Sequence, residues 1–263
     1  QQFHESDPGG MRTVDSFKGA ALIAHYFRIK SSGKRPWDLR WKPVCASTEI
    51  ELSDWLKQSP LIVKPKRAII AARQNHGIGQ QGRVWEAPPG GVWLSAAFPL
   101  DGIKRTSGLF GLAVAVALAH RLQKYLVPVR IKWPNDLMIG EKKLAGLLPR
   151  LVHRGEALRL GRVGLGLNVC NRVPKGAISL ADILRPSNCS IDQWVAEVLL
   201  AFEDTVELLG KGELVCAEAE KLLWAKEVKD AQTGDFLEIE GLNIEGALIL
   251  KKGSKKICWR RWQ

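Results

Sequence analysis

Lys132-Trp133-Pro134-Asn135-Asp136 places a cation, an aromatic plate, an amide and a carboxylate side by side. Its proline forbids a helix, so these groups belong at the end of a strand. Seven residues past Asp136, Lys143-Leu144-Ala145-Gly146 opens the next strand with a lysine and a small residue. A hairpin between the two segments lets them face each other. A lysine directed at a carboxylate and an α-phosphate neutralises the charge that builds up as an acyl phosphate forms, which is the electrostatic demand of adenylation. Either lysine alone reads as a solvated side chain. Two of them flanking W-P-N-D read as a site.

Upstream lies Gly77-Ile78-Gly79-Gln80-Gln81-Gly82, which matches the dinucleotide fingerprint G-x-G-x-x-G, follows a predicted strand, and has Asp101 19 residues beyond Gly82. That fingerprint needs a helix opening at its last glycine, and Pro88-Pro89-Gly90-Gly91 leaves no room for one. The P-loop reading fails as well, because Arg83-Val84 stands where Lys and Ser or Thr must meet phosphate and magnesium. What remains is a loop whose backbone can approach a ligand closely and turn N–H groups toward anionic or carbonyl oxygens. Arg83 adds a charge and Trp85 a flat surface. The alternative is a plain surface turn between two strands.

These residues need strands and helices to hold them. Periodicity predicts a helix within residues 14–29, ended by Ser31-Ser32-Gly33 and Pro36. A short strand follows from Val44, then Ser47 or Thr48 as N-cap of a helix carrying Ile50, Leu52, Trp55 and Leu56 on one stripe, with Pro60 as its stop. Residues 68–72 and 91–100 read as strands, 107–125 as a helix and 129–132 as a strand. Residues 138–142 begin a hairpin into 144–152, and 158–169 pairs onward. Helices are expected over 191–210 and 213–226. Short strands at 236–240, 247–250 and 257–261 then suit a small barrel.

Composition sets the outer bounds. At 263 residues with 46% apolar content the chain has material for one principal domain and a small companion. No run approaches the roughly 18 apolar residues of a membrane span, and a secretory layout is absent at the start, so the expectation is a soluble, cytoplasmic protein with no membrane partner. Cys45, Cys170, Cys189, Cys216 and Cys258 contain no C-x-x-C pair and read as free, buried thiols. The formal charge of +12 points to an anionic partner: nucleotide, nucleic acid or acidic protein. Basic residues gather over 28–40 and 251–261, the latter near Trp259 and Trp262, and such runs most often are solvated faces. Nothing is drawn from the stretch before Met11.

K-W-P-N-D followed by K-L-A-G, and preceded by Q-x-x-G-x-G-x-x-G-R-x-W from Gln74 to Trp85, resembles the biotin protein ligase family. The resemblance extends through Ser47-Thr48, Gly90-Gly91-Val92-Trp93-Leu94-Ser95 and Gly164-Leu165-Gly166-Leu167-Asn168-Val169, covering roughly residues 44–262. It implies an α/β (α+β) fold with a mixed, mainly antiparallel sheet and packed helices, plus a small C-terminal SH3-like β-barrel. The implied division is an N-terminal extension over 1–43, a biotin- and ATP-binding catalytic domain over 44–226 and the SH3-like domain over 227–263. The implied reaction uses ATP, biotin and Mg2+ to form biotinyl-5'-AMP, then transfers biotin to a lysine of an acidic biotin carboxyl carrier domain of acetyl-CoA carboxylase.

Matched position by position, Ser47, Thr48, Gln74, Gly77, Ile78, Lys143 and Gly146 fall on the family's biotin pocket. Gln80, Trp85, Lys132, Asn135 and Asn168 fall on its nucleotide site, and Lys143, Asp136 and Arg83 form the implied catalytic set. Asp136 matches an acidic residue near carrier attack, where it can take a proton from the incoming ammonium; a turn-capping aspartate is its bland alternative. The family's G-R-G-R-R-G-R here lacks three arginines, with Gln80 where a cation often meets the intermediate. An amide forfeits the charge assistance that makes ionic hydrogen bonds worth about 1.5–3 kcal/mol, so Arg83, Lys132 and Lys143 must do more.

Some members carry a DNA-binding winged helix, for which the residues before Val44 are too few and show one helix only, so no DNA partner is expected. Homodimers are common in the family, and no residue here decides the matter. A lipoate or octanoate ligase of the same superfamily and a non-catalytic nucleic-acid binder are the competing readings.

Overall fold

The computed structural model describes residues 19–31, 37–59, 66–100, 108–154, 157–230 and 232–260. In chain order these form α1 (Ala20–Lys30), β1 (Trp37–Cys45), α2 (Thr48–Gln58), β2 (Lys66–Ile78), β3 (Val84–Ala87), β4 (Gly91–Pro99), α3 (Leu109–Gln123) and β5 (Arg130–Lys132). There follow β6 (Asp136–Ile139), β7 (Lys142–Arg154), β8 (Ala157–Asn168), α4 (Ile191–Leu209), α5 (Gly212–Leu222) and the short strands β9 (Glu227–Lys229), β10 (Phe236–Leu242), β11 (Leu248–Lys252) and β12 (Lys255–Trp259).

β4 buries all its residues but the last, so both its faces need cover, and it lies inside an eight-stranded sheet of order β1-β2-β4-β8-β7-β6-β5 with β3 added to β2. Only β1 and β2 pair in parallel; every other pairing in this sheet is antiparallel. Side chains alternate across a strand. Leu94, Ala96 and Phe98 therefore enter the main core with α3 and α4, while Ala97 joins Ile69, Leu52 and Trp55 beneath α2 on the opposite face. α3 is buried almost all round, as its apolar sequence requires. The mixed, mainly antiparallel α/β architecture is thus the expected one.

Several boundaries differ from the sequence reading, among them β2, which spans Lys66–Ile78 where 68–72 is expected. β1 begins at Trp37, so an N-terminal boundary at residue 43 falls inside a strand of the main sheet. Its outward charged residues and Pro43 disguise it, and both suit a strand at the sheet edge. α1 also belongs to the main body: Ile23, Ala24 and Phe27 are buried, and Lys30 reaches Tyr125 and the buried Glu197, each at 3.1 Å. The helix expected over 213–226 stops at Leu222, because the chain turns extended there and Trp224 donates its backbone N–H to Ile131 and its indole N–H to Gly140.

β9 to β12 form a small four-stranded antiparallel sheet of order β12-β11-β10-β9 in the region expected to hold the C-terminal barrel. Leu237, Leu242, Leu248, Leu250 and Trp259 sit in the same apolar core as the large sheet. The expectations placed on Pro36, Pro60, Asp101, Ser107 and Trp262 lie outside the described residues.

Candidate active site

On the α2 face of the sheet is a cavity of about 320 Å³. Its polar end is built where β1 turns into α2. Ser47 is the N-cap and accepts the Glu49 N–H, and Thr48 then points its backbone N–H (2.7 Å) and hydroxyl (3.1 Å) at Gln74 Oε1 on β2. The Thr48 hydroxyl also lies 2.8 Å from Ser95 Oγ on β4. Arg162 on β8 pins this helix start by donating to the Glu49 carbonyl, the Glu49 carboxylate and Ser53.

The floor is made by absences. Gly146 and Gly166 face each other across β7 and β8, and a Cβ on either would come within 2.8 or 2.5 Å of the Trp85 ring. Two glycines thus let an indole lie flat over the sheet. Gly77 serves the same end from behind: a Cβ there would meet the Trp85 carbonyl at 2.3 Å, so the close pairing of β2 with β3 needs glycine. Trp85 Nε1 is buried with no acceptor among the described residues, an unmet donor at the cavity wall.

The charged end lies where the sequence places it. β6 and β7 form the expected hairpin, with Asp136 opposite Gly146, and a bulge between Leu137 and Met138 shifts the register ahead of Lys143. Lys143 Nζ lies 2.8 Å from Asp136 Oδ1 and 5.0 Å from the centre of the Trp85 ring. Both members of the pair are about one-third exposed, 33% and 28%. The Lys143 backbone is held on both sides by the segment after β8, donating to Gly176 O and accepting from Ile178 N.

Ser47, Thr48, Gln74, Ile78, Gln80, Arg83, Trp85, Asp136, Lys143, Gly146 and Asn168 all line this cavity. Three of the other expected residues do not. Gly77 supports Trp85 from behind. Lys132 is turned away, with Nζ 5.1 Å from the centre of the Trp224 ring. Asn135 is buried and spends its side-chain amide N–H on the Leu147 carbonyl, while its backbone carbonyl accepts the Leu147 N–H; the residue borders a second cavity of about 400 Å³ that shares Gln80 with the first. Gln80 and Gln81 sit in one 3₁₀ turn closed by the Arg83 N–H to Gln80 O bond, the Gly79 N–H to Arg83 O bond joins the loop's two ends, and Arg83 donates to the Gln81 side chain.

Sequence reasoning left Ser95, Gly164, Gly166 and the 174–177 segment without a role. Ser95, the one polar side chain inside the apolar run of β4, carried a signal; so did Gly164 and Gly166, two positions apart on one strand face. The 174–177 segment carried none. Asn168 accepts from Asn171, which holds its amide at the cavity wall. The five cysteines are free as expected, but only Cys45, Cys189 and Cys216 are buried, Cys170 being half-buried and Cys258 exposed; burial pushes the Cys170 thiol up to about 12, so it is not a nucleophile at neutral pH. Among the described residues no group of three or more His, Cys, Asp or Glu is placed to hold a metal, and no helix is long and apolar enough to cross a membrane.

The model of the biotin/lipoate A/B protein ligase family matches residues 45–168. The bifunctional ligase/repressor BirA of Bacillus subtilis is 30% identical over 72% of this chain and 63% of its own length, and that of Escherichia coli is 36% identical over 49% of this chain and 40% of its own. The chain thus spans less than two-thirds of the length of these relatives. In fold it is similar to the biotin protein ligase of Aquifex aeolicus in complex with biotin and ATP, with a TM-score of 0.70 at 22% identity over 86% of this chain and 96% of that one. A second similar structure is the Helicobacter pylori biotin acetyl coenzyme A carboxylase synthetase with bound biotinylated ATP, with a TM-score of 0.60 at 24% identity over 84% of this chain and 98% of that one. The family match ends on the strand that carries Asn168 and takes in the whole cavity apart from the 174–177 segment, so it is the cavity-bearing part of the chain, residues 45–168, that is similar to the biotin/lipoate A/B protein ligase family.

Proposed function

We propose that this chain is a biotin protein ligase, which activates biotin with ATP and transfers it to a lysine of a biotin carboxyl carrier domain. The observation that carries the reading is one cavity with a hydrogen-bonding head at Ser47, Thr48, Gln74 and Ser95, an indole lid at Trp85, and a lysine–aspartate pair at the far end. A fused-ring urea needs donors and acceptors at its buried end and apolar cover along its length; its carboxylate then reaches Lys143.

In the first step a biotin carboxylate oxygen attacks the α-phosphorus of ATP and the bond to the β-phosphate oxygen breaks, releasing pyrophosphate. Lys143 neutralises the charge gathered between carboxylate and phosphate. In taking up that carboxylate it loosens its bond to Asp136. Asp136 then accepts a proton as the carrier amine attacks the acyl carbonyl and AMP departs. Trp85, with its flat face and unmet N–H, suits an adenine, beside Asn168 and Gln80. Asn135 braces the strand end that carries Asp136, and Lys132 reaches a phosphate only by leaving Trp224.

Mg2+ would arrive largely on the nucleotide phosphates, Asp136 and Glu86 on the cavity wall being the carboxylates that would hold it, and it would supply charge neutralisation for the leaving pyrophosphate. Free thiols favour a reducing, cytoplasmic setting. The division into a catalytic domain and an SH3-like tail from residue 227 belongs to the same reading. Incubation with biotin and ATP, with detection of pyrophosphate and of an adenylate mass, tests it. An enzyme that holds both substrates and releases no pyrophosphate contradicts it.

A further inference from the structure

We propose that Trp133 is a positioning residue through which the C-terminal sheet fixes the strand end bearing Asp136; this rests on the ligase reading above. Trp133 is buried, and its indole N–H donates to the Gly246 carbonyl at 2.9 Å, 113 residues away. Gly246 closes a turn shaped by Asn243. The Asn243 Oδ1 accepts the N–H groups of Glu245 and Ala247, and its backbone carbonyl accepts that of Gly246. The turn is wedged against the start of α3, where a Cβ on Gly108 would meet the Glu245 carbonyl at 2.0 Å. The Gly246 carbonyl is therefore a fixed point.

From that fixed point a short path leads to the chemistry. Trp133 is three residues before Asp136, and the intervening Asn135 is tied to Leu147 on β7. Asp136 in turn is held by Lys143. Once a ligand takes Lys143, the strand end keeps its sheet pairing with Lys132 and Gly146 and the Leu147 bonds within the large sheet, and the Gly246 bond ties it from outside that sheet. The second cavity lies between Trp133, Pro134 and Asn135 on one side and residues 245–247 on the other, so the strand end has open space to drift into when the Gly246 bond is lost. A buried indole N–H without its acceptor is costly, so the bond selects one position of the ring. Misplacement of a reacting group by about 1 Å is enough to cost about 10²-fold in rate.

The test compares Trp133→Phe, Asn243→Ala, their combination, and Asn243→Asp, which keeps a side-chain oxygen at the Oδ1 position as acceptor for the turn. Adenylate formation and single-turnover transfer are measured with folded protein, confirmed by circular dichroism. Trp133→Phe is expected to lower the transfer rate by about 10- to 100-fold with biotin KM within about twofold. Asn243→Ala should act in the same direction, the double variant should be no slower than the slower single one, and Asn243→Asp should restore most of the rate. If Trp133→Phe fails to fold, the two Asn243 variants carry the comparison. Transfer within twofold of wild type in the folded variants, or losses that simply multiply, overturns the positioning role. A wild-type chain that makes no adenylate overturns the ligase reading as well, and is told apart by its failing before any variant is compared.

Discussion

Lys143 and Asp136 illustrate how one contact changes the meaning of two residues. Apart, a lysine and an aspartate seven positions away are ordinary; on a tight hairpin beside a glycine floor they form a 2.8 Å pair at a cavity wall. Lys143→Ala is expected to slow adenylate formation by about 10²- to 10³-fold with the fold retained, measured by pyrophosphate release; a rate within twofold of wild type would place the carboxylate elsewhere. Asp136→Asn keeps a side chain that can bond Lys143 and cannot take a proton. Single-turnover transfer from preformed adenylate should therefore fall more than adenylation does, and equal rates would leave Asp136 a structural partner of Lys143. This pair was legible because both members lie in one hairpin. Ser95 was not assigned, since its meeting with Thr48 joins a helix start to a strand 47 residues away and depends on which face of β4 looks at α2.

The elements were legible where period or turn chemistry spoke locally. β4, β7, β8 and α4 fall within a residue or two of their expected ends, and the hairpin start moves from 138 back to Asp136. β1 was cut short because an edge strand has no apolar alternation to show, and β2 runs on to Ile78 in a local hairpin with β3 whose glycines and bulge between Gln74 and Gly77 hide the strand pattern. α1 is held by chemistry that periodicity does not see. Its Lys30 meets Tyr125 and Glu197, the Tyr125 hydroxyl donates to Glu197 at 2.6 Å, and Arg121 stands 3.5 Å from the same carboxylate.

Burial, followed by the bond to Glu197, pushes the Tyr125 hydroxyl up to about 12. Burial alone would lower Lys30, and its bonds to Tyr125 and Glu197 outweigh that and raise it. Both groups hold protons more tightly folded than unfolded. Their stabilisation is complete below about pH 10 and is lost as the pH climbs from there toward their folded values. The urea midpoint should fall between about pH 8 and about pH 11, and Tyr125→Phe should flatten that fall. An identical slope in the variant would mean that the α1 anchor does not titrate in this range.

The molecule as a whole carries a formal charge of +12, which sets how it meets a partner rather than how it folds. If the carrier domain is acidic, its biotinylation at low carrier concentration should drop between low and physiological ionic strength, while adenylate formation, which needs no protein encounter, responds less. Equal salt sensitivity of the two steps would remove the case for steering. The family is shared by ligases for biotin and for lipoate, so the acid activated is the central claim. The direct measurement is a set of parallel incubations of the protein and ATP with biotin, lipoate or octanoate, read by the mass of the adenylate formed. The cavity described here, with its Ser47, Thr48, Gln74 and Ser95 head, predicts biotinyl-5'-AMP with biotin and little or no adenylate with the other two acids; lipoyl or octanoyl adenylate without biotinyl-5'-AMP would contradict it.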